Sequence, residues 1–258
     1  MWARWMAAML VASIAVAQAA GAEGRKLYVF GNSLVHHLSD GPETAVTWWL
    51  ARMAKAAGHE FAGDGEWGFL RDFAARPAPK GEWALPGVAR GWGGAVGFDA
   101  AGWDAILIAP ANFIQARGVE SPYEGDNPGG ASPLSAALAL IDRHPSLPVL
   151  IYEGWAEMRA GFPPRKRAFA AYNALNRGAY HAWFLDFVEA LKAARPGREV
   201  ALVPVASVLA GLFEDGALAG IDPRALYVDA DPHGTPTLYL LAAMEVYSGF
   251  PMASRCRR

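Results

Sequence analysis

The sequence predicts an α/β protein, a three-layer α/β/α sandwich around a doubly wound, mainly parallel sheet of five strands. Two observations carry that expectation. Short apolar runs alternate with longer segments whose apolar residues recur at helical spacing, the pattern of strands joined by crossover helices. The chain of 258 residues, 53% of them apolar, is long enough to close one substantial core. No internal repeat, low-complexity linker or composition shift marks a second domain.

Residues 1–22 read as a secretory signal peptide. Arg4 precedes an apolar run over 5–17, and both Ala17-Gln18-Ala19 and Ala20-Gly21-Ala22 offer the small-x-small cleavage spacing. The run is short for a membrane span, and an uncleaved N-terminal anchor is the alternative. One domain over 23–258 is expected, exported to the periplasm or secreted, with no stable membrane insertion after signal cleavage. The single cysteine, Cys256, excludes a disulfide framework and a Cys/His zinc pattern.

Residues 26–31 (KLYVFG) form the first strand. Residues 43–57 are the first amphipathic helix, closing on Gly58. A weaker strand over 60–62 is expected to break at Gly63-Asp64-Gly65, and 77–97, rich in Pro, Gly and Trp, reads as an irregular excursion. The clearest strand is 104–110 (DAILIAP). A Gly/Asp/Pro loop over 123–132 leads into a helix over 133–143. Strands follow at 148–153 (PVLIYE) and 199–204 (EVALVP), separated by one long or two broken helices over 166–194. Thr235 as N-cap and Pro236 at the first helical position open the last helix, to about residue 248.

A formal net charge of −2 excludes a polybasic nucleic-acid binder, and the basic clusters at 165–167 and 255–258 are short. In doubly wound sheets, ligands bind beyond the carboxyl ends of the strands, so those ends hold the candidate chemistry. Gly31-Asn32-Ser33-Leu34 follows the first strand, where a serine on a strand-to-helix turn projects its hydroxyl. Near the other terminus stands Asp229-Ala230-Asp231-Pro232-His233, a histidine with two carboxylates close behind it. Imidazole is the side chain best suited to take a serine proton near neutral pH. Asn112, beyond the clearest strand, offers an amide donor for an oxyanion, and Gly68 offers a backbone N–H. His36 and His37 follow the serine turn, and Trp155 ends the fourth strand; His36 and Trp155 are candidate substrate contacts. The acidic loop at 124–127 lacks calcium-ligand spacing, so no metal is assigned.

The order Ser, Gly, Asn, Asp/His along these strand ends resembles the SGNH hydrolase superfamily, the GDSL-type esterases and lipases, in a branch with a Gly-Asn-Ser-Leu first block. The resemblance implies a flavodoxin-like fold, Ser33 as nucleophile and His233 as its base. It implies an oxyanion hole formed by the Ser33 N–H, Gly68 and Asn112. Two departures stand out. The third block reads Pro110-Ala111-Asn112-Phe113 in place of Gly-x-Asn-Asp, and the position three before the histidine is Ala230. In a helical turn the i−4 residue, Asp229, faces the histidine; in an extended segment the i−2 residue, Asp231, shares its face. The implied activity is hydrolysis of carboxylic esters, with O-acetyl groups on polysaccharide as one candidate. It needs no cofactor and has a small ester or acylated glycan as its partner. An O-acyltransferase and an inactive carbohydrate-binding module on the same fold are the alternatives.

Overall fold

The computed structural model describes residues 24–38, 41–75, 79, 81, 83–92, 96–110, 117–122, 131–158 and 161–250. The signal segment expected over 1–22 lies outside them, as does Cys256. Gly24–Gly31 (β1), Glu60–Trp67 (β2), Ala89–Arg90 (β3), Ala105–Ile108 (β4), Val149–Tyr152 (β5) and Val200–Val203 (β6) form one sheet. All its neighbouring strands are parallel, in the order β3-β2-β1-β4-β5-β6. The central strands AILI and VLIY are buried at every residue, as continuous apolar runs are when both sheet faces are covered.

The helices are Val46–Ala56 (α1), Leu70–Ala75 (α2), Pro133–Ile141 (α3), Lys166–Leu175 (α4), His181–Ala194 (α5), Val205–Glu214 (α6) and Pro236–Gly249 (α7). They pack in two sets. In one, α1 lies against α7, α7 against α6 and α6 against α4; in the other, α2 lies against α3 and α3 against α5. The segment 166–194 is two helices joined by a π-turn, Asn176–Tyr180, whose Gly178 leaves helical geometry (φ −99°, ψ −112°). Ser132 caps α3 through a reciprocal box with Ser135. Thr235 precedes α7 without a side-chain cap; its hydroxyl donates to Ala225 O instead, at 2.8 Å. Among the described residues no helix is long and apolar enough to cross a membrane.

The sheet has six strands rather than five, and β2 runs straight through the glycines expected to end it. Those glycines mark a close approach, not a break. A Cβ at Gly65 would stand 2.5 Å from Val29 O and 3.0 Å from the Trp83 ring, and one at Gly63 would meet Leu27 O and Leu85 at 3.0 Å. The excursion thus lies directly on the strand, with Trp83 N–H donating to Gly65 O at 3.1 Å. Asp64, between the glycines, is fully buried; it accepts from Trp92 N–H at 2.6 Å and pairs with Arg90. The two-residue strand β3 and helices α2 and α6 were not legible as separate elements.

Strands β2 and β3 are laid down on one side of β1, and the chain then crosses to the other side to form β4. The β1/β4 junction is therefore the switch point of the sheet, where a crevice opens beyond the strand ends.

Candidate active site

Ser33 stands two residues beyond β1, beside that junction. Asn32 builds its turn: the Asn32 carbonyl accepts from Val35 N–H at 2.9 Å and His36 N–H at 3.0 Å, and Asn32 Oδ1 accepts from Leu34 N–H at 3.0 Å. This is the short-range chemistry that makes Asn a turn residue. Of residues 31–36, only Ser33 is not buried. Two tyrosines fix the turn from below. Tyr152 OH donates to Leu34 O at 3.1 Å, and Tyr239 OH donates to Ser33 O at 2.6 Å. Among the described residues neither the N–H nor the hydroxyl of Ser33 has a hydrogen-bond partner.

His233 sits on a loop closed by an antiparallel bridge between Tyr227 and Gly234 and by Val228 N–H donating to His233 O at 2.9 Å. Folding the chain back this way lets Asp229 reach forward across four residues. Its Oδ1 accepts from the N–H groups of Asp231 and His233, both at 3.0 Å, and its Oδ2 accepts from His233 Nδ1–H at 2.6 Å. Partial burial pushes the Asp229 carboxyl up. The hydrogen bonds from the His233 ring and N–H, with the Asp231 N–H, outweigh that and hold it below the ordinary aspartate value. An ionised Asp229 can only accept, which assigns the proton to Nδ1 and leaves Nε2 as the lone-pair nitrogen. Asp231 is exposed, and the ring's partner is Asp229.

Two contacts draw this loop onto the Ser33 turn. Tyr239 OH, bonded to Ser33 O, also accepts from Gly234 N–H at 3.4 Å. The His37 ring stacks on the His233 ring with centroids 4.1 Å apart and planes 2° apart. Nucleophile-bearing turn and base-bearing loop are thus joined, although they lie near opposite ends of the chain.

Other candidates are placed differently. Gly68 adopts φ +153°, and its N–H donates to Gly31 O at 2.8 Å, extending the β1/β2 ladder. That amide, expected to face an oxyanion, is engaged within the sheet in this structure. Asn112 lies outside the described residues. His36 turns inward, 5% exposed and stacked on Trp83 at 5.8 Å, rather than lining the site. Burial, with the adjacent His37, lowers its pKa to about 4. Trp155 is 2% exposed and forms no outer wall. Its Nε1–H donates to Pro232 O at 2.7 Å, so it supports the His233 loop from beneath. His37, singled out with His36 beside the serine turn, is the one of the two that reaches the site, while Tyr239 and Trp67 are residues sequence reasoning passed over. Trp67 pairs in register with Gly31, donates from Nε1 to His36 O at 3.4 Å and is 37% exposed. Leu38 and Val228, next to His37 and Asp229, are also exposed, so part of the mouth of the site is apolar.

No family model and no curated protein matches the sequence. Among solved structures, the chain is similar to a family 3 carbohydrate esterase of Clostridium thermocellum, with 14% identity, a TM-score of 0.49, and 87% of this chain and 94% of that one covered. It is also similar to a protein of Slackia heliotrinireducens described as an SGNH hydrolase (17%, TM-score 0.47, 87% and 98% covered). A third is a family 3 carbohydrate esterase from Talaromyces cellulolyticus (12%, TM-score 0.41, 87% and 95% covered).

Proposed function

We propose that this chain is an exported serine hydrolase of the SGNH type, cleaving carboxylic esters through an acyl-enzyme on Ser33. O-acetyl groups on polysaccharide are the proposed substrate class. The observation that carries the reading is the Asp229–His233 pair on a loop that His37 and Tyr239 tie to the Ser33 turn, at the switch point of the sheet. Nε2 of His233 takes the Ser33 proton as Oγ attacks the ester carbonyl, and the ionised Asp229 stabilises the imidazolium that forms. The same imidazolium then protonates the leaving alcohol. Water, deprotonated by His233, releases the carboxylic acid and restores the serine. The Ser33 N–H, free of other acceptors, is one donor to the tetrahedral oxyanion, and the amide of Asn112 is the proposed second. The exposed indole of Trp67 beside the turn supports a substrate with a flat apolar face, such as the face of a pyranose ring.

Turnover of an activated acetyl ester by Ser33→Ala tests the reading. The loss should be about three orders of magnitude, with folding intact by circular dichroism. Unchanged hydrolysis by the pure variant would remove Ser33 from the reaction.

A further inference from the structure

The Asp229–His233 hydrogen bond is a contact within one short loop. It fixes the imidazole relative to its own loop, while Tyr239 ties the backbone of that loop to the Ser33 turn; neither contact bears on the faces of the ring. Catalysis by proton transfer needs the ring held relative to the serine, not only to its carboxylate. The contact that reaches the ring itself from the Ser33 segment is the stack of His37 on His233, 4.1 Å between centroids and 2° from parallel. His37 is four residues after Ser33, on the segment continuing from the Asn32 turn, so a ring fixed against His37 is fixed against Ser33.

His37 is itself held from both sides of its backbone. Its N–H donates to Thr44 O at 3.1 Å, and its carbonyl accepts from the Thr44 hydroxyl at 2.8 Å. Thr44 is 1% exposed, and the neighbouring pair His36 and Ala45 forms an antiparallel bridge. The stacking ring therefore projects from a pinned backbone.

We propose that His37 is a positioning residue for the base: its ring face sets the tilt and the height of His233 over the Ser33 turn. The inference rests on the Ser33–His233 reading above and adds a residue to it. It requires a flat ring at position 37.

The experiment compares the full chain with His37→Ala, His37→Phe and His37→Leu on 4-nitrophenyl acetate, with fluorophosphonate labelling of each. His37→Ala should lower kcat about tenfold to a hundredfold, with KM changed by less than about twofold. His37→Phe should return kcat to within about threefold of the parent, because it restores a ring face. His37→Leu fills the space without one and should stay as slow as His37→Ala; it stands in if the alanine variant does not fold. Labelling rates should follow kcat. A reactive parent whose His37→Ala turns over within about twofold of it, or a phenylalanine variant no faster than the leucine one, overturns the inference alone. A parent that neither labels at Ser33 nor turns over removes the catalytic reading, and the role of His37 with it.

Discussion

Asp229 holds three donors at once: the N–H groups of Asp231 and His233 on one oxygen and the His233 ring on the other. The division of labour between the two aspartates follows. Asp229→Asn offers an amide that no longer enforces the Nδ1–H tautomer, and kcat should fall by about 10²- to 10⁴-fold. Asp231→Asn alters an exposed side chain and should stay within about threefold of the parent. Steady-state kinetics of the two variants checks both, and the reverse ranking would exchange their roles. Ser33 and His233 were legible as candidates in the sequence because turn and loop chemistry surround them. The choice of aspartate was not, since it depends on whether 229–233 is helical or extended, and the loop is neither. Nor does sequence distinguish adjacent histidines: the same backbone sends His36 inward and His37 to the site. His36 has a consequence of its own. Its pKa falls from 6.5 to about 4 on folding, so the unfolded chain binds the proton more tightly than the folded one between those values. Its contribution to stability is complete above pH 6.5 and is lost as pH drops through about 4. Thermal midpoints of His36→Phe should therefore decline less from pH 7 to pH 4 than those of the parent; parallel declines would contradict this.

Strand β2 is where local reading and fold diverge most. Gly63-Asp64-Gly65 has the composition of a turn, and in isolation it would be one. In the protein Trp83 and Leu85 lie across it, and only a residue without Cβ lets them approach. The strand is thereby carried to Trp67, which brings Gly68 N–H to Gly31 O and commits the amide expected in the oxyanion hole. Replacing Gly65 by Ala should cost about 1–3 kcal/mol by overpacking, read in urea unfolding, with helix and strand content retained. A neutral substitution would mean that the excursion does not rest on the strand. The helical pattern over 166–194 was legible as one long or two broken helices; it is two, divided at a π-turn where Gly178 leaves helical geometry.

The parallel sheet and most of its crossover helices were legible, because hydrophobic periodicity determines which segments must be covered on both faces. The sixth strand was not, since two residues carry no periodicity. What periodicity cannot provide is the meeting of distant segments. Packing of α1 on α7 and the Tyr239 bond to Ser33 O, across 206 positions of sequence, bring the base-bearing loop to the end of β1. A nucleophile assembled this way should react only in the folded chain and only with its base present. Fluorophosphonate labelling followed by peptide mapping measures this directly. The modification should fall on Ser33 in the native protein and should slow by at least about a hundredfold in His233→Ala or in urea. Labelling at another residue, or equal labelling with and without His233, would contradict the assembled site.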